Sequence, residues 1–315
     1  MRKSLAALSV LLYISVFLFV GCDVSPGVSP TADESPSVSA QVTEPPDVTV
    51  SPASKEESDP YGDMTNEEIR NRIENRYGIT VIWGGEEVSV EAGPPWDELP
   101  CLAPGLLRKS LIILDEQLAL YPEGFFNQMT KPYFILAEWI RTTDGTVQGY
   151  ADYGKGYTAI FVTTTEDMLE VLDWYGDGDI VAEAAIDFQS TLHHEIGHTI
   201  FRMTGFDGAN VFDFDKYFEL LPDDFIPPAN IYDDEYRKYI PADDVEQVYF
   251  CSLYAMSNPM EFMAELFCLS MKPSLNWTFA SPNVQAQLGL FCKAIRDAYD
   301  TDNWPEQTYW ERALR

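Results

Sequence analysis

Hydrophobic and polar positions change their period several times along this chain, and each change predicts an element. After Met1-Arg2-Lys3 a largely apolar run over residues 5–20 has the charged start and apolar middle of an export signal. Residues 23–60 show no period. Ser, Pro, Val, Thr, Asp and Glu dominate there, with Ser-Pro recurring at 25–26, 29–30, 35–36 and 51–52, a composition that cannot bury enough surface to fold and that suits a spacer. Order is expected from about residue 63, where Thr65 and Glu68 make a capping box for a charged helix reaching about residue 76. The β-branched stretch 79–83 reads as a strand closed by Gly84-Gly85, and Pro94-Pro95 and Pro100 mark a loop. Apolar positions recur at helical spacing over 104–120, and Tyr121-Pro122-Glu123-Gly124 ends that helix. A strand follows at 133–140. Then 147–150 and 157–163 flank Gly154-Lys155-Gly156 as a hairpin.

Beyond the hairpin the period becomes helical. A helix is expected over about 179–204, stopped by Gly205, followed by an aromatic, acidic, proline-interrupted insertion over 206–242 with little regular structure. Further helices are expected at about 243–256, 259–271, 282–299 and 304–313. Strands followed by helices give an α+β domain over 61–315: a small mixed sheet packed on the 179–204 helix, with a helical C-terminal subdomain. Segments 1–22 and 23–60 stand outside it as signal peptide and linker.

Composition narrows the partners. Lys+Arg 20 against Asp+Glu 51 gives a formal net charge of -31, which argues against a nucleic-acid backbone as partner. With 46 % hydrophobic residues, the chain can still bury a full core. Of five cysteines, Cys22 lies two residues past the apolar run, leaving Cys101, Cys251, Cys268 and Cys292 as three possible disulfide pairings or as free buried thiols. No C-x-x-C spacing points to a cysteine metal site.

All three histidines fall in Thr191-Leu192-His193-His194-Glu195-Ile196-Gly197-His198. His194, Glu195 and His198 form H-E-x-x-H. At about 3.6 residues per turn, residues four apart share a helix face, so both imidazoles can reach one metal ion and Glu195 can serve a water beside it as general base. His193 lies off that face and is expected to pack or to support the site from outside. Gly197 costs about 1 kcal/mol relative to alanine inside a helix, which is easier to accept if something packs close against the backbone there. No histidine remains elsewhere, so a third protein ligand must be a carboxylate or a cysteine. Phe201 and Thr204 stand where the metzincin extension has glycine and histidine, which excludes that pattern.

The apolar helix expected from residue 259 carries only two acids, Glu261 and Glu265, a turn apart on one face. Asn258 as N-cap with Pro259 at the first helical position would account for Glu261 as a capping residue alone. A buried carboxylate pair is costly, however, unless a cation or hydrogen-bond donor compensates it. Zinc held by Glu261, with Glu265 taking a proton from a liganding imidazole, would meet both needs. Asp207, just past the 179–204 helix, is the reserve ligand.

Together, His194-Glu195-Ile196-Gly197-His198, Tyr254 and Glu261-Phe262-Met263-Ala264-Glu265 resemble the catalytic domain of anthrax lethal factor and its relatives, a gluzincin branch of zinc metallopeptidases. That family has H-E-F-G-H and E-F-F-A-E, with a tyrosine seven residues before the first glutamate of the latter. The resemblance implies a zincin-like fold with His194, His198 and Glu261 as Zn2+ ligands, Glu195 as base, Tyr254 as transition-state donor and Glu265 as support for a liganding imidazole. It covers only the histidine helix and residues 251–269. Leu18-Phe19-Val20-Gly21-Cys22 also resembles the lipobox of bacterial lipoproteins, with Phe19 departing from the favoured leucine. The expectation is therefore a zinc metalloendopeptidase acting on peptide or protein substrates, anchored at the extracytoplasmic face of the cell membrane through a lipid on Cys22. The alternatives are an inactive zincin-fold surface binding protein and a cell-wall peptide amidase.

Overall fold

The structure, a computed structural model, describes residues 60–84, 102–142, 145–154, 156–165, 169, 187–205, 208–230, 233–272 and 277–315. Cys101 and Asp207, residues 1–59 with Cys22 and nearly all of the expected signal and linker, and the 179–186 stretch lie outside the described residues.

The sheet is where the first half of the chain converges. Helix α1 (Asn66–Tyr77) starts at the expected capping box and ends at Gly78, whose φ of 68° is left-handed. Strand β1 (Thr80–Trp83) follows, and helix α2 (Pro104–Leu118) returns the chain to β2 (Pro132–Ala137). β1 and β2 run parallel, as a connection through a helix permits. The expected strand at 133–140 is thus two pieces, because β3 (Ile140–Thr142) leaves to pair with β4 (Gly145–Val147) in a separate ribbon. β5 (Gly149–Gly154) and β6 (Tyr157–Thr163) form the expected hairpin, with Gly156 at a φ of 101°. β6 pairs parallel to β2, so among the described residues the sheet order is β1-β2-β6-β5, with β1 and β5 at its two edges.

Alternate residues of the central strands serve two cores. Phe134, Leu136, Ile160 and Val162 face the helices, while Ile135, Ala137, Ala159 and Phe161 pack on the other face with Ile140 and Val147. Burial on both faces is why these strands read as near-continuous apolar runs.

Helix α3 (Phe188–Thr204) lies against the sheet near β5 and β6 and is buried almost all round. It starts later than the sequence suggests. Asp187 has extended backbone (φ -121°, ψ 161°) and accepts the amide hydrogen of Ser190 at 2.7 Å, which makes it an N-cap rather than a mid-helix residue. Lys272 Nζ, 3.0 Å from Asp187 Oδ2, ties this start to the far end of helix α5 (Pro259–Ser270). α3 and α5 cross where Gly197 meets Ala264. A Cβ at Gly197 would stand 2.8 Å from Ala264 Cα, a backbone atom with nowhere to move, so the approach requires glycine.

The intervening segment is mostly irregular as expected, apart from helix α4 (Phe214–Glu219) and a 3-10 turn at Asp234–Tyr239. The expected helix at 243–256 is instead two 3-10 turns, Val245–Gln247 and Tyr254–Met256. Short polar side chains take the amides that a helix would need: Asp244 accepts from Glu246 N and Ser252 Oγ from Ala255 N. Helix α6 (Pro282–Ala298) forms nearly as expected. The expected 304–313 helix shrinks to a turn at Trp310–Ala313, with Glu311 turned back to accept the amide and hydroxyl of Thr308. Cys251, Cys268 and Cys292 are buried, the last two as free thiols.

Candidate metal centre

Two helices supply the polar side chains that meet at the α3–α5 crossing. On α3, His194 and His198 lie one turn apart, edge to face, with ring centroids 4.7 Å apart and planes at 87°. One potential donor atom from each of His194, Glu195 and His198 can be chosen so that all three lie within 4.8 Å of one another. On α5, Asn258 caps the helix by accepting from Met260 N and Glu261 N. The cap therefore belongs to Asn258, and the Glu261 carboxylate is turned to the histidines. Its Oε2 lies 3.1 Å from His194 Nε2 and 3.4 Å from His198 Nε2.

Those separations suit a shared cation. Two donors each about 2.0–2.2 Å from a tetrahedral zinc ion lie roughly 3.3–3.6 Å apart. Glu261 contacts both imidazoles through the same oxygen. Glu195 lies instead toward the sheet edge: a Cβ at Gly149 on β5 would fall 2.4 Å from Glu195 Oε1 and 2.6 Å from Thr191 Cγ2. Glycine at 149 lets the edge strand lie directly on the residue the sequence marks as base.

The rest of the surroundings orient these groups. Glu265 Oε1 receives a hydrogen bond from His194 Nδ1 at 2.9 Å, which leaves Nε2 for Glu261 or an ion. The other oxygen, Oε2, accepts from Ser252 Oγ at 2.7 Å. Tyr254 lies half-buried beside the site, its ring centroid 5.9 Å from that of His194. His198 Nδ1 is buried and has no hydrogen-bond partner among the described residues, so His194 is the more firmly held of the two.

Buried charge is the main electrostatic fact. Burial works against ionisation of Glu261, but the charge of His198 and the hydrogen bond from His194 outweigh it and hold its carboxyl well below the usual range. Burial alone would push His194 down. Its bonds to Glu261 and Glu265 instead raise it well above an ordinary histidine. Glu195 moves up, chiefly by burial and against the pull of His198 and His194. The three carboxyls and two imidazoles thus form a buried acidic cluster that gains from any cation at its centre, a proton or a divalent metal. The donor set of two imidazoles and one carboxylate is chemically suited to zinc.

His193 turns away. Its Nδ1 accepts from the Tyr121 hydroxyl at 2.8 Å and its Nε2 meets Gln117 Oε1 at 3.0 Å. Burial, with Lys272 nearby, lowers it to about 3, so it stays neutral as a packing residue joining α3 to α2. The structure therefore brings His194, Glu195, His198, Tyr254, Glu261 and Glu265 together and sets His193 apart. Ser252 and Gly149 belong to the same cluster without having been singled out in the sequence. Ser252 carries no spacing signal, and Gly149 could have been noticed only as a glycine at the start of a strand.

No protein-family model and no curated protein matches this chain. Among solved structures the chain is similar to one described as a "putative zinc-binding metallo-peptidase" from Bacteroides caccae, at 14% identity and a TM-score of 0.42, over 79% of this chain and 90% of that one. A likeness of that degree leaves the chemistry to the side chains.

Proposed function

We propose that this protein is a zinc metallopeptidase of gluzincin type, with His194, His198 and Glu261 as metal ligands. The observation that carries the reading is the contact of one Glu261 oxygen with both imidazole Nε2 atoms, with Glu265 behind His194. Zinc held there would supply Lewis acidity toward a substrate carbonyl and a water. Glu195, buried beside the histidines, takes the proton from the attacking water and passes it to the leaving amine. Tyr254 donates its hydroxyl to the carbonyl oxygen as charge develops there, and Glu265 fixes the His194 ring by holding its Nδ1 proton. A substrate in extended form adds to the edge strand β5, which Gly149 allows to lie against Glu195.

The test is Glu195→Gln in the full chain. It leaves every ligand in place, so zinc binding persists while chelator-sensitive cleavage of a peptide library falls by about 100- to 10,000-fold, the usual worth of a positioned base. Turnover close to that of the unaltered chain would refute the mechanism.

The same reading extends to location. Cys22 at the end of the apolar segment is the lipid-bearing residue, and the Ser-Pro-rich stretch holds the domain off the extracytoplasmic face. No helix among the described residues is long and apolar enough to cross a membrane. Cys22→Ala abolishes incorporation of a fatty-acid probe and leaves zinc binding intact; unchanged labelling would refute the anchor.

A further inference from the structure

Ser252 occupies an unusual junction. Its side chain is buried, and its hydroxyl makes two hydrogen bonds in opposite senses. As donor it meets Glu265 Oε2 at 2.7 Å, and as acceptor it receives the Ala255 amide at 3.1 Å. Glu265 in turn holds His194, while Ala255 is the second residue of the 3-10 turn that begins with Tyr254. One oxygen atom thus connects the carboxylate that orients a candidate ligand to the backbone that carries the tyrosine.

The surrounding contacts fix both ends of this connection. Glu265 sits on α5, which is locked to α3 by the close approach of Ala264 to Gly197. The chain just before Ser252 is anchored separately, by the Thr278 hydroxyl donating to Cys251 O at 3.4 Å and the Ser281 hydroxyl donating to Val248 O at 2.6 Å. Within the turn at 254–256, Met256 N to Leu253 O and Ser257 N to Tyr254 O, both 3.0 Å, and Ser257 Oγ to Tyr254 O at 2.7 Å are local bonds, whereas the Ser252 hydroxyl joins the turn's backbone to a side chain of α5. A short 3-10 turn has poor hydrogen-bond geometry and little stability of its own, so a side-chain bond that ties it to a rigid helix pair adds a directional constraint to the packing of Ala255 and Met256.

We propose that Ser252 is a positioning residue that places Tyr254 relative to the His194–Glu265 pair, so that the metal site and the hydroxyl donor hold a fixed register. This rests on the zinc-peptidase reading above. A serine that merely satisfied its own buried hydroxyl would give the same distances but would not couple the two halves.

The experiment compares Ser252→Ala, Ser252→Thr, Tyr254→Phe and the double variant Ser252→Ala/Tyr254→Phe in the full chain. Zinc affinity is read by competition with a chromophoric chelator, and backbone exchange by hydrogen–deuterium exchange of peptides covering 252–257. kcat and KM are measured on the best-cleaved member of a fluorogenic peptide library. Loss of an outer partner lowers affinity or activity about 10- to 100-fold, and Ser252, one bond further from the metal than Glu265, is expected to lower zinc affinity by about 3- to 10-fold. Ser252→Ala lowers kcat by about 10-fold or more, leaves KM within about twofold, and speeds exchange at Ala255. Ser252→Thr restores both. In the Tyr254→Phe background the same change costs less than about threefold in kcat, because the residue it positions is already disabled.

Losses that multiply fully in the double variant overturn the inference, as does unchanged exchange at 252–257 or unchanged zinc affinity. A chain that binds zinc but cleaves no peptide refutes the peptidase reading alone, and affinity and exchange still decide whether Ser252 couples the two elements. A chain that binds no zinc refutes both.

Discussion

Two buried acidic sites in this protein, Asp115 and the Glu261–Glu265 pair, differ in what neutralises them. Asp115 on α2 is almost fully buried, yet Arg72 Nε lies 3.1 Å and Arg76 Nη1 3.3 Å from its oxygens, and Tyr77 and Tyr61 donate phenol hydroxyls at 2.8 and 3.2 Å. Its charge is met by permanent cations, since an arginine does not lose its proton in a protein. Glu261 and Glu265 on α5 are also buried but face imidazoles and a hydroxyl. An imidazole carries charge only when protonated and can otherwise bind a metal. The first cluster is therefore a completed joint between α1 and α2, whereas the second calls for a cation from solution. Burial of an acid alone does not mark a functional site; the chemistry of its partners does.

That contrast is broken most sharply at Glu265. Glu265→Ala removes the acceptor for His194 Nδ1 and is expected to weaken zinc binding by about 10- to 100-fold, with activity falling in parallel. Competition with a chelator reads this directly, and affinity within about threefold of the unaltered chain would show that His194 needs no orienting carboxylate.

Asp115→Ala gives the complementary result. The side chains of Arg72 and Arg76 are 38% and 50% exposed and can turn to water, so the loss is mainly that of the phenol hydrogen bonds and amounts to about 1–3 kcal/mol of unfolding free energy. Denaturant unfolding measures it. Zinc affinity should be unchanged, and a fall comparable with that of Glu265→Ala would mean that the two clusters are coupled.

The structure explains why some of this was legible in the sequence. His194, Glu195 and His198 are placed by helix geometry alone, and Glu261 with Glu265 by the same four-residue spacing, so each half could be read locally. The glycine at 197 was a further local sign, and Ala264 is the neighbour it accommodates. Strand positions followed from apolar runs. The order β1-β2-β6-β5 did not, because pairing depends on contacts between residues about fifty and twenty-five positions apart, such as Val81 with Phe134 and Phe134 with Ile160.

Side chains that compete with the backbone hid the turns. Asp244, Ser252 and Glu311 divert amides from helices that apolar spacing alone suggests, which is why 243–256 and 304–313 read as longer helices than they are. Ser252 was illegible for the related reason that a single serine has no period. Its partners, Glu265 and Ala255, become visible only when the fold brings α5 beside the 254–256 turn. The pairing of His193 with Tyr121 and Gln117 likewise crosses more than seventy residues.

The central claim is that Glu261 completes a zinc site rather than a helix cap, and zinc affinity in Glu261→Ala tests it most directly. Asn258 keeps the cap in that variant, so the fold should survive. The account predicts that the unaltered chain binds zinc tightly and that Glu261→Ala weakens binding by more than about 100-fold, beyond what loss of an outer partner such as Glu265 produces. If Glu261→Ala binds zinc as tightly as the unaltered chain, Glu261 is not a ligand, and the contact of its carboxylate with both histidines serves packing alone.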